Sequence, residues 1–181
     1  MITEGTIRLR PLEEADLERT LRWVNDPAVA QGVNRVLPVT RLEHAEWYRR
    51  LVTDRTQVAF AIERTEDPAH IGNCGLRGLD PRVRQGELWI YLGEQAEWGK
   101  GYGRDATRAL LRYGFESLNL HRVVLTVVAD NHRAIRLYEA LGFVREGVLR
   151  DGAYLEGAYR DLMVMAMLRA EYDGRAGRRD R

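Results

Sequence analysis

Cysteine, lysine and long apolar runs are scarce in this sequence. Among its 181 residues there is one cysteine, Cys74, and one lysine, Lys100. A lone cysteine cannot form an intramolecular disulfide, so we expect a cytoplasmic location and a buried, small-hydrophobic role for Cys74. No apolar run approaches the roughly 20 residues that span a bilayer. The N-terminus also lacks the basic-then-apolar pattern of a secretory signal, so no membrane partner is expected.

An excess of charge of one sign is also lacking. Basic residues number 28 and acidic residues 27, for a formal net charge of +1. The arginines alternate with acidic residues along the chain, so no nucleic-acid partner is predicted. Only the end, Asp173 to Arg181, is locally basic, and we expect a frayed tail over residues 171–181. The histidines lack the spacing of metal ligands, so no metal site is predicted: His44, His70, His121 and His132.

What is present is typical of a globular α/β protein. Hydrophobic residues make up 45% of the chain and charged residues 30%, and this length predicts one domain over residues 1–170. Hydrophobic periodicity predicts the order β-α-α-β-β-β-α-β-α-β-β. The predicted strands are 6–10, 58–62, 71–79, 87–92, 121–128, 144–149 and 162–168. The predicted helices are 13–24, one from residue 40, one from about 105 to 118, and one after 131; residues 28–39 are expected to be a loop.

Several local signals fix the ends of these elements. Thr40-Arg-Leu-Glu43 is a capping box that starts the second helix. Asn131 is a favourable N-cap for the last helix. Gly142 supplies a left-handed C-terminal cap, with Phe143 placed to pack back on the helix. The strand 121–128 is almost continuously apolar, which predicts burial on both faces.

A glycine-rich turn between the strand 87–92 and the following helix is the most informative segment. Glycine allows a positive φ and lets a ligand approach the backbone without a Cβ in the way. The first amides of the following helix have no intrahelical acceptor, and the helix dipole adds partial positive charge there. The turn is therefore a candidate phosphate site. Its three glycines alternate with larger residues: Gly99, Lys100, Gly101, Tyr102, Gly103 and Arg104.

Three kinds of phosphate loop are candidates for this turn. A P-loop needs Ser or Thr after Gly-Lys, whereas Lys100 is followed by Gly101. The pattern Gly101-x-Gly103-x-x-Ala106 satisfies a dinucleotide fingerprint, but that fingerprint should follow its strand directly and residues 93–98 intervene. The third kind is a pyrophosphate loop for coenzyme A. A tight strand-to-helix connection without a ligand is the remaining structural explanation.

The third kind carries a family resemblance. Trp98-x-x-Gly101-x-Gly103 resembles the Gln/Arg-x-x-Gly-x-Gly/Ala loop of GNAT N-acetyltransferases. Tryptophan replaces the usual first residue, as is common in the ribosomal-protein N-terminal acetyltransferase branch. Asn131-x-x-Ala134-x-x-Leu137-Tyr138-x-x-x-Gly142-Phe143 is similar to the second cofactor motif of the family. Glu146-Gly147 followed by Arg150 fits the N-terminal acetyltransferase and spermidine acetyltransferase branches, and the resemblance covers Thr6 to Leu168.

The resemblance implies a GNAT fold, of class α/β (α+β). Its mixed central sheet is expected to have about six to seven strands, flanked by about four helices. It also implies acetyl-CoA as the acetyl donor, bound without a metal. In the family the pyrophosphate lies on loop amides and the pantetheine arm pairs with a strand like an added strand. The implied cofactor-binding residues are Ile90, Tyr91, Leu92, Trp98, Gly99, Lys100, Gly101, Tyr102, Gly103, Arg104, Asn131 and Ala134.

Two residues are implied as catalytic. Tyr138 matches the general-acid tyrosine that protonates the departing CoA thiolate; a tyrosine keeps its proton at pH 7, and the thiol has a pKa of roughly 8.5. Glu87 lies where related enzymes place a general base, often acting through water. Each has a structural alternative, since Tyr138 lies on an apolar helical stripe and Glu87 could be a solvated strand residue. Asn131 could likewise be only an N-cap.

The predicted function is acetyl transfer from acetyl-CoA to a primary amine by direct attack in a ternary complex. A non-catalytic acyl-CoA-binding or sensing protein is the alternative from another class. The acceptor is predicted to be a protein N-terminus, an amino acid or an amino sugar. A polyamine is a further alternative, disfavoured because residues 28–41 contain two arginines and no acid. The oligomeric state is left open, with a homodimer as one candidate.

Overall fold

Eight strands make up one mixed sheet in the computed structural model, which describes residues 1–32, 38–155 and 157–176. Along the sheet the strands follow the order β1-β2-β3-β4-β5-β6-β8-β7. Their bounds are β1 Ile2–Glu4, β2 Ile7–Pro11, β3 Val58–Arg64, β4 His70–Asp80, β5 Gln85–Leu92, β6 Arg122–Val128, β7 Val144–Leu155 and β8 Ala158–Leu168.

Six helices complete the described part of the fold. They are α1 Leu17–Val24, α2 Pro27–Gly32, α3 Arg41–Thr53, α4 Tyr102–Arg112, α5 His132–Leu141 and α6 Arg169–Ala176. A π turn, Tyr113–Ser117, follows α4, and a single 3₁₀ turn, Gln95–Glu97, lies between β5 and α4. None of the helices in these ranges is long and apolar enough to cross a membrane.

The pairing of β5 with β6 is parallel, whereas β1–β2, β2–β3, β3–β4, β6–β8 and β7–β8 pair antiparallel. The parallel pairing covers three residues, from Gln85↔Arg122 to Glu87↔Val124. β5 then continues to Leu92 and β6 to Val128. A parallel pair needs a crossover connection, and α4 lies in it. Residues 90–92 thus lie on the part of β5 beyond this pairing.

Two compact units emerge from the contacts within the chain, each with its own buried side chains. The first contains residues 1–77 and 89–110, and the second contains the described residues of 78–88 and 111–181. Fully buried residues of the first unit include Ile7, Leu9, Ile62, Cys74, Leu76 and Leu110. Those of the second include Phe115, Val123, Leu125, Met165 and Met167. The prediction of one domain over 1–170 stays a prediction.

The predicted capping signals are confirmed. Thr40 and Glu43 form the reciprocal capping box of α3. The Asn131 side chain accepts a hydrogen bond from the Ala134 amide at the start of α5. Gly142 ends that helix in the left-handed region, at φ 108°. Cys74 is buried and free, and burial raises the pKa of its thiol.

The predicted fold class is confirmed, but the sheet has more strands and the chain more helices than expected. β1 was missed because its three residues are too short for a periodic signal. Part of the expected loop 28–39 is helical, since α2 runs from Pro27 to Gly32; residues 33–37 of that loop lie outside the described part. β7 and β8 extend well beyond 144–149 and 162–168 because they form one long hairpin.

Two further expectations need correction. β6 is not buried on both faces: Val123 and Leu125 are buried, whereas Thr126 is exposed. An apolar run can therefore mark a strand with one well-covered face. In the predicted frayed tail, α6 extends to Ala176. Arg169 donates to the Leu120 carbonyl at 3.2 Å and Tyr172 to Glu116 at 2.6 Å, which ties this helix to the π turn region. Residues 177–181 lie outside the described part.

Candidate active site

The glycine turn has the open backbone that its sequence predicts. Gly99 and Gly101 have positive φ, 87° and 95°, and Gly103 lies in the first turn of α4. A Cβ added at Gly101 or at Gly103 would meet no atom within 4 Å. The turn is closed by the amides of Arg104 and Asp105, which both donate to the Gly101 carbonyl, at 2.9 and 3.2 Å. An anion can therefore approach the start of α4 without displacing a side chain.

The connector before this turn is fixed by its own side chains. The Trp98 indole donates to the Leu92 carbonyl at 2.9 Å, so Trp98 ties the end of β5 to the turn. Glu97 is buried, with 9% of its surface exposed, and it accepts from Lys100 at 3.0 Å and from Arg64 at 3.1 Å. Lys100 is thus held beside the turn by a carboxylate that is itself clamped by an arginine. Tyr102 and Arg104 follow in the first turn of α4.

The end of β5 is anchored from its neighbour β4. The Ile71 carbonyl accepts from the amides of Gly93 and Glu94, at 2.9 and 3.3 Å. The Tyr91 hydroxyl accepts from the Asn73 side chain at 2.7 Å. The ring of Tyr91 lies edge-to-face with Trp23, at 6.3 Å between centroids. The stretch that contains Ile90, Tyr91 and Leu92 is therefore held on the β4 side.

A buried polar chain supports this anchor. The His70 Nε2 lies 2.8 Å from Asn73 Oδ1 and 3.0 Å from the Gly72 carbonyl. Both partners are acceptors, so Nε2 carries the ring proton. The other ring nitrogen lies 3.1 Å from Asp16 Oδ1, outside hydrogen-bonding geometry. Burial lowers the pKa of His70, with the nearby Asp16 acting in the opposite direction, and the ring is neutral in this arrangement.

Asp16, which lies beside His70, belongs to a set of partly buried ion pairs. Arg10 binds its two carboxylate oxygens, each at 2.7 Å, and also binds Glu63 at 2.6 Å. Burial raises the pKa values of the Asp16 and Glu63 carboxyls, but hydrogen bonds from arginine outweigh it and leave both pKa values below their usual range. These carboxylates therefore stay ionised although they are buried.

In the second unit, α5 carries Asn131, Ala134 and Tyr138. Asn131 Oδ1 accepts from the Ala134 amide at 3.1 Å, so this amide is used by the cap. Asp130 beside it pairs with Arg160 of β8 at 3.1 Å. The N-cap explanation of Asn131 is thus correct, and a role for the same residue toward a cofactor remains a prediction.

Tyr138 has a structural role through its backbone and ring. Its carbonyl accepts from the amides of Gly142 and Phe143, both at 3.0 Å, and Glu139 accepts a second bond from Gly142 at 2.9 Å. This is a Schellman cap, and the rings of Tyr138 and Phe143 supply its usual hydrophobic contact, with centroids 5.7 Å apart. Neither the cap nor the ring contact uses the Tyr138 hydroxyl. No described residue hydrogen-bonds it, and burial raises the pKa of Tyr138 to about 12.

Glu87 lies at the last position of β5 that pairs with β6, opposite Val124. It is half-buried, and its Oε1 is 3.5 Å from the Thr126 hydroxyl, which is at the limit of a hydrogen bond. The structure assigns Glu87, Asn131, Ala134 and Tyr138 to the second unit. The other predicted cofactor residues, from Ile90 to Arg104, are all in the first.

Comparison with known proteins identifies the family. A family model described as an acetyltransferase (GNAT) domain matches residues 6–144. The chain belongs to the GNAT family. An uncharacterized N-acetyltransferase, p20 of Bacillus licheniformis, is 32% identical over 173 residues, which is 93% of this chain and 95% of that protein. A putative ribosomal N-acetyltransferase of Bacillus subtilis is 34% identical over 108 residues, 60% of this chain and 58% of that protein.

Solved structures agree with this assignment. The spermidine N-acetyltransferase from Vibrio cholerae, in complex with CoA and spermine, superposes with a TM-score of 0.87 and 29% identity, covering 92% of this chain and 98% of that one. A dodecameric structure of the same enzyme gives a TM-score of 0.82 at 29% identity, covering 94% and 98%. This GNAT protein is an acetyl-CoA-dependent acetyltransferase. The dinucleotide-binding and non-catalytic alternatives are therefore set aside.

The sequence did not predict the buried hydrogen bonds through which His70 and Asn73 anchor Tyr91 in this GNAT protein. Asn73 is fully buried in β4 and lies 18 residues from Tyr91 in sequence. One signal was available, since a polar residue inside a predicted buried strand must find a hydrogen-bond partner. The partner itself could not be named, because strand register decides it. No group of three or more metal-binding side chains occurs in the described ranges.

Proposed function

We propose that the chain transfers the acetyl group of acetyl-CoA to a primary amine by direct attack within a ternary complex. The observation that carries this proposal is the open glycine turn at the start of α4, where Gly101 and Gly103 leave the backbone uncovered. The turn, with Lys100 beside it, holds the pyrophosphate. The backbone of residues 90–92 holds the pantetheine arm in the manner of an added strand.

The chemistry assigns one role to each catalytic candidate. The neutral amine attacks the thioester carbonyl carbon, the C–S bond breaks, and the sulfur leaves as a thiolate. Tyr138 supplies a proton to that sulfur. Glu87 takes the proton that the amine nitrogen loses, through water. Both substrates gain most of their reactivity from being held in line.

For the acceptor, we propose an α-amino group, on a protein N-terminus or an amino acid, or the amine of an amino sugar. The acid-free sequence of residues 28–41, with two arginines, supports an acceptor without several positive charges. A polyamine is the second candidate, because the Vibrio cholerae relative binds spermine together with CoA. The number of positive charges on the acceptor therefore distinguishes the proposed acceptors from a polyamine.

Thiol release from acetyl-CoA, measured against a matched set of amines, tests the acceptor. The set contains a short peptide with a free N-terminus, the same peptide N-acetylated, a free amino acid, an amino sugar and spermidine. The proposal expects kcat/KM for the free peptide, amino acid or amino sugar to exceed that for spermidine by at least tenfold. A higher value for spermidine would establish the polyamine alternative.

Two wider expectations are part of the same proposal. The lone cysteine supports a cytoplasmic location for the reaction. The dodecameric Vibrio cholerae relative supports self-association of this chain as well. Sedimentation velocity over a range of protein concentrations tests the second expectation directly.

A further inference from the structure

The outer edge of the sheet at β7 is long and exposed. β7 is the last strand in the sheet order, beside β8, and its first nine residues, 144–152, are all exposed. Val144, Val148 and Leu149 expose 51%, 47% and 50% of their surface. Unpaired strand edges with apolar side chains are templates for another strand.

A short regular segment lies in the middle of this edge. Gly147, Val148 and Leu149 pair in order with Val164, Met163 and Leu162 of β8. The register shifts on either side of this segment, between Arg145 and Gly147 and between Leu149 and Ala153. A Cβ added at Gly147 would meet nothing within 4 Å, so there is open space beside this glycine.

The charges that flank the segment are arranged symmetrically. Reading outward from Val148, Arg150 and Glu146 are equally distant and opposite in sign. Glu146 already binds Arg122, and Arg145 binds Glu139 at 2.7 Å. Each of these pairs has room for a second partner, because the Glu146 and Arg145 side chains are still 37% and 53% exposed.

We infer that β7 pairs antiparallel with β7 of a second copy of this chain, about a twofold axis at Val148. This register places the two Val148 side chains together and Leu149 of each copy over Gly147 of the other. It also brings Arg150 toward Glu146 across the axis, just beyond the two ends of the regular segment. The arrangement is isologous, so every contact occurs twice except the contact between the two Val148 side chains, which lies on the axis. The inference names the surface for the self-association proposed above.

The same features disfavour other partners. Bulges and charged side chains normally prevent an exposed edge from pairing with arbitrary strands. Here three regular residues lie between the two register shifts, and the flanking charges match a strand that carries a negative and a positive side chain in the reverse order. A copy of β7 meets this condition by symmetry. The preference for a second copy thus comes from opposite charges that meet in this pairing and from like charges that would meet in a pairing with an unrelated strand.

A first experiment tests the position of the axis by sedimentation velocity from about 1 to about 100 µM, a range that brackets the affinities of modest interfaces. The wild-type chain is expected to form dimers, of twice the chain mass of 20.8 kDa, or assemblies built from them. Val148→Arg places two like charges on the axis and is expected to raise the dimer dissociation constant at least about 100-fold. Val83→Arg is the matched control, because Val83 is 54% exposed in the turn between β4 and β5.

The outcomes separate the two proposals. A wild-type chain that stays monomeric at the highest concentration overturns both self-association and this interface. An assembly that Val148→Arg leaves unchanged supports self-association but overturns β7 as its surface. Loss of assembly in both Val148→Arg and Val83→Arg also overturns the inference.

A second experiment tests the charge register by mixing variants. Arg150→Glu sets a second carboxylate against Glu146 across the axis, and Glu146→Arg sets two guanidinium groups together, so each variant alone is expected to dissociate at least about tenfold more readily. Mixed in equal amounts, the two variants restore both opposite-sign contacts and are expected to associate with each other. Thermal melts establish that each variant is folded. Failure of the folded mixture to associate overturns the register.

Discussion

Tyr138→Phe removes one hydroxyl from a side chain that also has a structural role, so it tests the proposed catalytic role apart from the structural one. The Schellman cap uses the Tyr138 carbonyl, and the ring contact with Phe143 needs no hydroxyl. No hydrogen bond to this hydroxyl exists within the described residues. We therefore expect unfolding free energy to change by less than about 0.5 kcal/mol. Truncation to alanine would instead cost about 3–5 kcal/mol, because it empties the space beside Phe143.

The expected loss of activity follows from the pKa of the phenol. Burial raises the pKa of Tyr138 to about 12, whereas the leaving thiol has a pKa of roughly 8.5. Complete proton transfer to a solvated thiolate would be uphill by about 5 kcal/mol, at about 1.36 kcal/mol per pKa unit. In the proposed mechanism the phenol therefore stabilises the developing thiolate by a hydrogen bond before its proton is transferred to the sulfur. Its loss should lower kcat by roughly 10²–10⁴, the scale of general-acid catalysis.

Three measurements check this prediction together. Calorimetry should give acetyl-CoA affinity within a few-fold of wild type, thermal melts should coincide, and single-turnover rates should fall. Because the phenol stays protonated until about pH 12, its own titration should cause no decline in kcat below about pH 10. Tyr159→Phe, at an exposed tyrosine of β8, is the matched control. Wild-type turnover in Tyr138→Phe with chemistry rate-limiting would show that Tyr138 is only a core residue.

Gly101→Val should abolish acetyl-CoA binding in calorimetry, because the valine side chain enters the open space over the turn. Gly103→Ala is the companion variant that should not disturb folding, because Gly103 has an ordinary helical backbone. Normal acetyl-CoA affinity in both variants would contradict the assignment of the loop. Glu87→Gln should slow kcat/KM by less than about 10²-fold, since an α-amino group with a pKa of about 7.7–8.0 costs only around 1 kcal/mol to deprotonate at pH 7; a larger drop with loss of the acidic limb of the pH profile would make Glu87 an essential base. His70→Gln should flatten the pH dependence of thermal stability. The folded state resists protonation of His70, so wild-type stability is present above the unfolded pKa near 6.5 and falls as pH decreases below it. Exposed His121→Gln is the control, and an unchanged slope in His70→Gln would refute the assignment.

Local interactions explain why much of the site could be predicted from sequence. The capping box at Thr40, the N-cap at Asn131 and the left-handed cap at Gly142 each depend on groups close to one another in sequence. The open glycine turn is local in the same way, because Gly99 and Gly101 lack the Cβ that disfavours the positive φ observed there. The family assignment rested on these motifs, and it gave the fold class. The roles of the site residues remain predictions.

Tertiary structure decided the contacts between residues far apart in sequence. Glu97 reaches Arg64, 33 residues away, and Asn73 reaches Tyr91, 18 residues away. No periodicity identifies such partners, because they depend on how β3, β4 and β5 align. The length of the β7–β8 hairpin was underestimated for a related reason. Residues 150–155 and 158–161, which were not predicted as strand, carry no regular apolar alternation, and pairing between the two strands makes them part of the hairpin. Local backbone preference thus determined the capped ends of α3 and α5 and the open glycine turn. Strand register, fixed only by packing the whole sheet, determined the length of the β7–β8 hairpin and which distant side chains meet.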